Sequence, residues 1–312
     1  MRRPYLLSHV MLYTILIAFI RPALFALCNI VDQHLTNNLF KRVSTLTFYG
    51  LVFNITTVLF MLLIFGFPGL PPMAVVPLII AIVVIEIFGL LPYFKALRKM
   101  DTSTVMAIFQ FGKIMIPILA FILIGEQLRP IQYLGFMIIV LTSVMLSLDK
   151  SDVKTKLNIG FWFVILSATL FAFGSVTEKA ALEYIAWYGL IFWYLVTSVV
   201  FSSVFLIGRK SRTDIIESAG IFRRNIRYFA LNQIIFTGGL FAGIYALATI
   251  PVTVFGAINA TRPMFVLLFG WMLTQFGFAS KVREETDRRT VVRKLLGFVV
   301  ITIGVVLIIA NL

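Results

Sequence analysis

The chain has 312 residues, of which 60% are apolar and 13% are charged, and its mean hydropathy is +1.01. Soluble domains are typically about 45–50% apolar and about 25% charged, so a water-soluble domain is excluded, and the hydrophobicity also excludes a disordered chain. The formal net charge of +14 comes from basic residues in short gaps between apolar runs, which is typical of membrane orientation rather than nucleic-acid binding.

Ten apolar stretches are long enough to cross a membrane, since a helix needs about 20 apolar residues to span a hydrocarbon core of about 30 Å. The first continues past Arg21 without a small-residue cleavage site, so we expect a retained span rather than a signal peptide. The sequence therefore predicts an all-α, polytopic membrane protein. The stretches are 8–32, 45–66, 73–97, 102–124, 130–148, 158–182, 187–207, 226–249, 251–276 and 294–311.

The two halves of the chain are similar to each other. The segment 25–33 aligns with 171–179, and Ala107-Ile108-Phe109-Gln110 aligns with Gly256-Ala257-Ile258-Asn259. Each half holds five predicted spans, an odd number, so the halves enter the membrane in opposite senses. We predict two inverted five-helix repeats, residues 1–150 and 155–312, a plan that places substrate between the repeats near the midplane in many secondary transporters.

Basic residues are distributed asymmetrically between the predicted gaps. Nineteen lie in the gaps that follow odd-numbered spans, and three lie on the other face. Because cytoplasmic loops are enriched in Lys and Arg, we expect those gaps, including Arg209–Arg227, to be cytoplasmic and both termini to be external. The longest polar connections are predicted at 209–225 and 279–293.

Three features make the chain similar to the drug/metabolite transporter superfamily, and within it to EamA-type ten-helix transporters. They are the duplicated five-span unit, the Ala-Leu ending of spans 3 and 8, and the segment Gly125-Glu126-Gln127-Leu128 followed by Gln132-Tyr133-Leu134-Gly135. The resemblance covers the whole chain but names no cargo. The chain departs from the family pattern in two ways. The second repeat has Thr274-Gln275 in place of the glutamate and carries a charged insertion around 279–292, and the predicted termini are external, whereas family members usually have cytoplasmic termini.

Four charges lie deep inside predicted spans and near one depth: Arg21, Glu86, Lys113 and Arg262. A charge at mid-bilayer costs at least about 2.5–3.5 kcal/mol on insertion scales, so such residues usually face a cavity or one another. Three cations and one acid at this depth favour an anionic group as the remaining counter-ion. Glu86 has no counterpart in the second repeat, which makes it a candidate for proton coupling or exchange. The alternative is a fixed salt bridge from Lys113 or Arg21.

Lys113 and Arg262 occupy equivalent positions in spans 4 and 9, each three residues after an amide, Gln110 or Asn259. This spacing puts amide and cation on one face of a continuous helix. The pair resembles the basic residues that hold phosphate in plastid triose-phosphate translocators, which are distant relatives. We therefore expect Lys113, Arg262, Gln110, Asn259 and Arg21 to bind substrate.

Several other residues have two interpretations. Tyr93 and Tyr245, in the last turns of spans 3 and 8, are candidate substrate-binding or gating residues, although most span-end aromatics are typical of an interfacial belt. The aromatic residues assigned to this interfacial belt include Trp187, Trp193 and Tyr194. Asp32 and Glu178, which align between the repeats, are interpreted more readily as interfacial anchors than as site residues.

The sequence thus predicts a secondary transporter of a small anionic or zwitterionic metabolite, of phosphorylated or carboxylate/amino-acid type, driven by protons or exchange. The alternatives are a flippase for a lipid with a phosphate headgroup and a multidrug exporter. We expect no enzymatic activity, because neither His9 nor His34 has a partner set, and no metal or other cofactor. ATP is not the energy source, because no Walker A motif occurs. Membrane lipid is an expected partner, nucleic acid is not, and a bacterial inner membrane is the expected location.

Overall fold

The computed structural model describes residues 4–40, 42–100, 102–147, 159–275 and 288–309, which form helices without strands. A π-helical turn, Leu35–Leu39, extends the first helix, and a 3-10 turn, Ser203–Leu206, follows the eighth. The α-helices of these described ranges are α1 Pro4–His34, α2 Val43–Phe65, α3 Val76–Leu97, α4 Thr102–Phe109, α5 Phe111–Ile124, α6 Pro130–Ser147, α7 Ile159–Ala181, α8 Trp187–Ser202, α9 Arg209–Arg224, α10 Ile226–Thr249, α11 Val252–Asn259, α12 Arg262–Gln275 and α13 Arg288–Ile309.

The helices identify the chain as a multi-pass membrane protein. Helical segments satisfy every backbone hydrogen bond internally, as lipid requires. Shorter apolar helices cover Phe111–Ile124, Pro130–Thr142 and Val299–Ile308, and helix occurs in each of the ten stretches predicted from the sequence. Within the described residues, seven segments are long and apolar enough to cross a bilayer: Tyr13–Leu39, Val43–Phe65, Val76–Leu97, Ile159–Ala181, Trp187–Leu206, Ile226–Thr249 and Val252–Gly270.

Two sequence predictions fall wholly or partly on residues that the structure does not describe. The boundary between the predicted repeats, at 150–155, lies outside the described residues. So does most of the charged insertion predicted around 279–292, although its last residues are helical because α13 begins at Arg288.

The polar connection predicted at 209–225 contains the helix α9, Arg209–Arg224, which was not predicted from the sequence. Ile215 is its buried residue, and Phe222, seven positions later, falls on the same helix face. Tyr49 of α2 stacks on the ring of Phe222 with the centroids 4.4 Å apart and donates a hydrogen bond to the carbonyl oxygen of Ile215 at 2.7 Å. An ion pair between Arg42 and Asp214 adds to this contact. A polar helix is thus held against the membrane bundle by one apolar stripe.

The glycines at 238, 239 and 243 let α10 pack closely against α1, as the small-residue pattern predicts. A Cβ atom at Gly239 would lie 2.6 Å from a ring carbon of Phe25, and one at Gly243 would collide with the side chain of Arg21. The close packing fixes the positions of Phe25 and Arg21 on the inner face of α1.

The connection between α10 and α11 is held by two charged side chains from other parts of the chain. Glu126 follows Gly125, which ends α5 in a left-handed conformation with φ 66°. Its carboxylate accepts hydrogen bonds from the backbone amides of Val252 and Thr253 at 2.7 and 2.9 Å. Lys179 of α7 donates to the carbonyl oxygens of Leu247 and Ile250 at 2.8 and 2.9 Å. An anion at a helix N-terminus and a cation at a helix C-terminus both complement the helix dipole.

Candidate functional site

A cavity of about 220 Å³ lies inside the bundle. Its wall combines apolar and aromatic side chains with ionisable groups from α1, α3, α5, α7 and α12. This volume is below the range of about 300–1,000 Å³ that is common for ligand pockets. A small metabolite therefore fits better than a bulky ligand. The acidic and basic side chains in the wall are Arg21, Lys113, Arg262, Asp32, Glu86 and Glu178.

Lys113 and Arg262 reach this cavity from two broken helices. Arg262 is the first residue of α12, and Lys113 is the third residue of α5. The amide of Lys113 bonds the carbonyl oxygen of Gln110 at 2.9 Å, and that of Thr261 bonds the carbonyl oxygen of Ile258 at 3.1 Å, so each break is a tightened turn. Each cation therefore lies in the first turn of the helix that follows a break.

The two breaks have different local causes. In the α11–α12 break, Pro263 has no N–H group to bond the carbonyl oxygen of Asn259, and its ring crowds that carbonyl. The α4–α5 break has no proline at the equivalent place. There Gly112 packs so closely against α7 that a Cβ atom would lie 2.5 Å from the carbonyl oxygen of Ala168.

Gln110 and Asn259 do not line the cavity, contrary to the sequence prediction. Both are buried, and each donates its side-chain amide to a carbonyl oxygen four residues earlier, Gln110 to Met106 and Asn259 to Phe255, at 2.8 Å. The prediction assumed a continuous helix, in which residues three apart share a face. The breaks fall between each amide and its cation, so the amides are turned back onto the helix that they end.

The cations of the cavity wall lie against aromatic rings. The guanidinium carbons of Arg21 and Arg262 are 5.0 and 5.1 Å from the centroid of the same ring, that of Phe25. The ammonium nitrogen of Lys113 is 6.0 Å from the ring centroid of Phe109. Cation–π contacts contribute about 0.5–2 kcal/mol each, which offsets only part of the cost of burying a charge.

Acidic partners for these cations are scarce among the described residues. Arg21 is 4.0 Å from an oxygen of Glu178, and Arg21 Nη1 and Glu178 Oε2 are both buried without a hydrogen-bond partner. Lys113 and Arg262 make no salt bridge within the described part of the chain. Because Lys113 is only 8% exposed, its ammonium group is a buried charge that a ligand has room to neutralise.

Glu86 is not the salt-bridge partner that the alternative interpretation gave to Lys113 or Arg21. Its carboxylate accepts a hydrogen bond from the hydroxyl of Tyr194 at 2.5 Å. The sequence placed Tyr194 in an interfacial aromatic belt, but it is buried and lines the cavity beside Glu86. Glu86 is thus a cavity carboxylate held by a neutral donor.

The interpretation of Asp32 and Glu178 as interfacial anchors was wrong, because both line the cavity. The wall therefore carries three acids as well as three cations, rather than the single acid counted from the sequence. Their alignment between the two halves of the chain was the signal that could have identified them. Without the helix packing, nothing in the sequence indicated that Glu178 lies opposite Arg21.

The two tyrosines predicted to bind substrate occupy different environments. Tyr93 lines the cavity and donates a hydrogen bond to Asn29 at 3.0 Å. Tyr245 is not part of the wall, and its ring packs edge-on against Trp187 with the centroids 5.7 Å apart. The prediction for Tyr245 is therefore corrected to a packing contact between α8 and α10.

Comparisons with known proteins agree with this architecture. Residues 11–148 match the model of the EamA-like transporter family. A solved crystal structure superposes with a TM-score of 0.62, covering 95% of this chain and 96% of that chain at 16% sequence identity. At this identity the likeness shows a common fold alone. No curated protein matches the chain.

Proposed function

Because residues 11–148 match the model of the EamA-like transporter family, we propose that the protein carries a small anionic or zwitterionic organic molecule across a membrane. The substrate is of phosphorylated or carboxylate/amino-acid type. It binds in the central cavity, with its anionic group between Lys113 and Arg262. The protein is a transporter and not an enzyme.

The observation that carries this proposal is the pair of cations at the two helix breaks. Lys113 and Arg262 line one cavity, stand at the beginnings of two helices and make no ion pair within the described residues. Discontinuous helices whose N-termini point at anionic groups are a recurrent feature of transporter binding sites. The Arg fork suits a carboxylate or phosphate gripped at two oxygens, and the Lys acts as a point charge.

The proposal includes a ten-helix architecture of two inverted repeats, and the transport cycle follows from that architecture. Gln110, where the first break lies, aligns with Asn259, which directly precedes the second break at 260–261, and this correspondence supports two copies of one five-helix unit. Rocking of one repeat against the other then exposes the cavity alternately to the two sides of the membrane. Protons or a counter-substrate provide the driving force, and the basic connections face the cytoplasm of a bacterial cell.

Ligand binding to the purified protein tests this function directly. We expect phosphorylated, carboxylate or zwitterionic compounds to raise the melting temperature, and the responding compound to exchange across proteoliposome membranes. Lys113→Ala and Arg262→Ala should each weaken binding. Lys99→Ala, which removes an exposed cation at the end of α3, is the matched control and should bind normally. Binding that is unaffected by both cavity variants would overturn the proposed site.

A further inference from the structure

Asp32 is an acid of the cavity wall with one firm hydrogen bond and one weak contact. Its Oδ1 accepts a hydrogen bond from the side-chain amide of Asn232 at 3.1 Å. Its Oδ2 lies 3.5 Å from the hydroxyl of Tyr93, which is also 3.0 Å from the side-chain oxygen of Asn29. A phenol has one proton to donate, and the shorter contact to Asn29 takes it. One oxygen of Asp32 is therefore left without a committed donor.

Asp32 also lacks a cationic partner. Within the described part of the chain, no Lys or Arg nitrogen lies within 4.0 Å of its carboxylate, whereas Glu178 has Arg21 at 4.0 Å. A carboxylate removed from water is costly unless it is paired and hydrogen-bonded. A positively charged donor that enters the cavity would pair this carboxylate.

The surroundings of Asp32 suit an organic ammonium group. Tyr93 packs against Phe94 and Phe109 with ring centroids 5.2 and 6.3 Å apart, and all three rings line the cavity with Asp32. Aromatic faces attract ammonium groups, and a carboxylate supplies the directional hydrogen-bond acceptor. The arrangement offers too few oxygen ligands for a hard metal cation such as Mg²⁺ or Ca²⁺, which takes six or more.

We propose that Asp32, with Tyr93 and Asn232, binds the ammonium group of a substrate whose anionic group lies at Lys113 and Arg262. This inference rests on the proposed transport function and narrows its substrate class to zwitterions. Arg262 lies beside Phe25, and Asp32 is seven residues further along α1. Seven residues are about two helical turns, so Asp32 and the anion site occupy different parts of the cavity wall. An ω-amino acid, whose two charges are far apart on a flexible chain, is therefore the suitable probe.

Two probes of the same length separate the contributions of the two ends. Hexanoate carries only the anionic group, and 6-aminohexanoate adds the ammonium group. The affinities of both are measured by calorimetry on the full-length protein in lipid nanodiscs, together with those of glycine and N-acetyl-6-aminohexanoate. We expect 6-aminohexanoate to bind about tenfold more tightly than hexanoate, since it adds a charge-assisted hydrogen bond to Asp32; tenfold corresponds to about 1.4 kcal/mol. Glycine and the acetylated compound should show no such gain.

Asp32→Asn keeps the shape and hydrogen-bonding capacity of the side chain but removes its charge. We expect this variant to bind 6-aminohexanoate and hexanoate with equal affinity, and its hexanoate affinity to be no lower than that of the unmodified protein. Glu183→Gln is the matched control, because it removes an exposed acid outside the cavity wall and should keep the preference for the ammonium compound.

The outcomes distinguish this inference from the function on which it rests. Equal binding of hexanoate and 6-aminohexanoate by the unmodified protein would overturn the Asp32 subsite and leave the anion site intact. This comparison needs no variant, so it remains decisive even if Asp32→Asn fails to fold. If neither compound binds, the proposed anion site fails for carboxylates, and the subsite fails with it. A preference that persists in Asp32→Asn would assign the ammonium group to another acid.

Discussion

Gln110 and Asn259 adopt the same arrangement at two separate helix breaks, each donating its side-chain amide to a carbonyl oxygen four residues earlier at 2.8 Å. Neither lines the cavity, and the remaining oxygen of each amide is buried without a partner. The amides therefore belong to the structure of the breaks and not to the ligand-binding surface.

Replacing these amides with leucine tests that assignment. We expect Gln110→Leu and Asn259→Leu to change the free energy of unfolding by only about 1 kcal/mol. Each variant loses a hydrogen bond, which destabilises the fold, and also loses a buried oxygen without a partner, which has the opposite effect. Ligand affinity should stay within about twofold of the unmodified protein, a change of about 0.4 kcal/mol in binding free energy. Thermal unfolding and calorimetry measure the two quantities. A tenfold loss of affinity at unchanged stability would show that the amides contribute to ligand binding.

The helical fold and several residues of the cavity wall were predictable, because they follow from local features of the sequence. The apolar stretches predicted helices because lipid permits little else, and the repeat alignment identified Lys113 and Arg262 as equivalent residues. Asp32 was misplaced because the first span was ended at residue 32. The helical segment runs on to Leu39 through a π-helical turn, which places Asp32 well inside it. The directions of the Gln110 and Asn259 side chains depend on the helix breaks, which are visible only once the helices are packed.

Arg262→Lys separates charge from geometry at the anion site. The variant keeps a cation beside Phe25 but loses the planar fork that bonds two oxygens at once. Losing one partner of a desolvated charge pair typically costs about 2–5 kcal/mol, so Arg262→Ala should weaken binding of the anionic ligand by roughly thirty-fold or more. Arg262→Lys should be intermediate. Equal affinities for Arg262→Lys and the unmodified protein would exclude bidentate binding by Arg262.

Because Glu86 bonds Tyr194 and forms no salt bridge with Lys113 within the described residues, the two charges should act independently. We expect Lys113→Ala to lose ligand affinity with little change in melting temperature. Adding Glu86→Gln to this variant should not restore either quantity. Recovery of stability in the double variant would mean that Lys113 compensates the charge of Glu86.

Glu86→Gln should uncouple transport if Glu86 carries the proton. The amide cannot exchange a proton, although it still accepts a hydrogen bond from Tyr194. In proteoliposomes, we expect accumulation driven by a pH gradient to be abolished while exchange of labelled substrate continues. Tyr194→Phe, which removes the hydroxyl and leaves the carboxylate, should retain coupling with altered pH dependence. Proton-driven accumulation that is unchanged in Glu86→Gln would leave Glu86 with a structural role.

The loop charges predict the orientation of the chain. Nineteen basic residues against three place α9 in the cytoplasm and the terminal Asn311-Leu312 outside. A reporter that fluoresces only in the cytoplasm should stay dark when fused to the C-terminus. The same reporter inserted at Gly220, an exposed position on α9 with open space around it, should be bright. The reverse pair of signals would invert the orientation and leave the fold unchanged.

The carboxylate of Glu126 should stabilise the protein without contributing to ligand affinity. It accepts hydrogen bonds from the amides of Val252 and Thr253, the first two residues of α11, and no other acid caps this helix within the described residues. Removing an N-terminal cap costs about 0.5–2 kcal/mol, and the lost charge at the helix dipole adds about 0.3–1 kcal/mol.

We therefore expect Glu126→Ala to lower the melting temperature, and Glu126→Gln to lower it less, because the amide oxygen still accepts one hydrogen bond. Glu183→Ala is the matched control: this acid is exposed just beyond α7 and should leave the melting temperature unchanged. Ligand affinity measured below the unfolding transition should be the same in all three variants, since Glu126 is not part of the cavity wall. A melting temperature unaffected by Glu126→Ala would show that the α10–α11 connection holds its position without the cap.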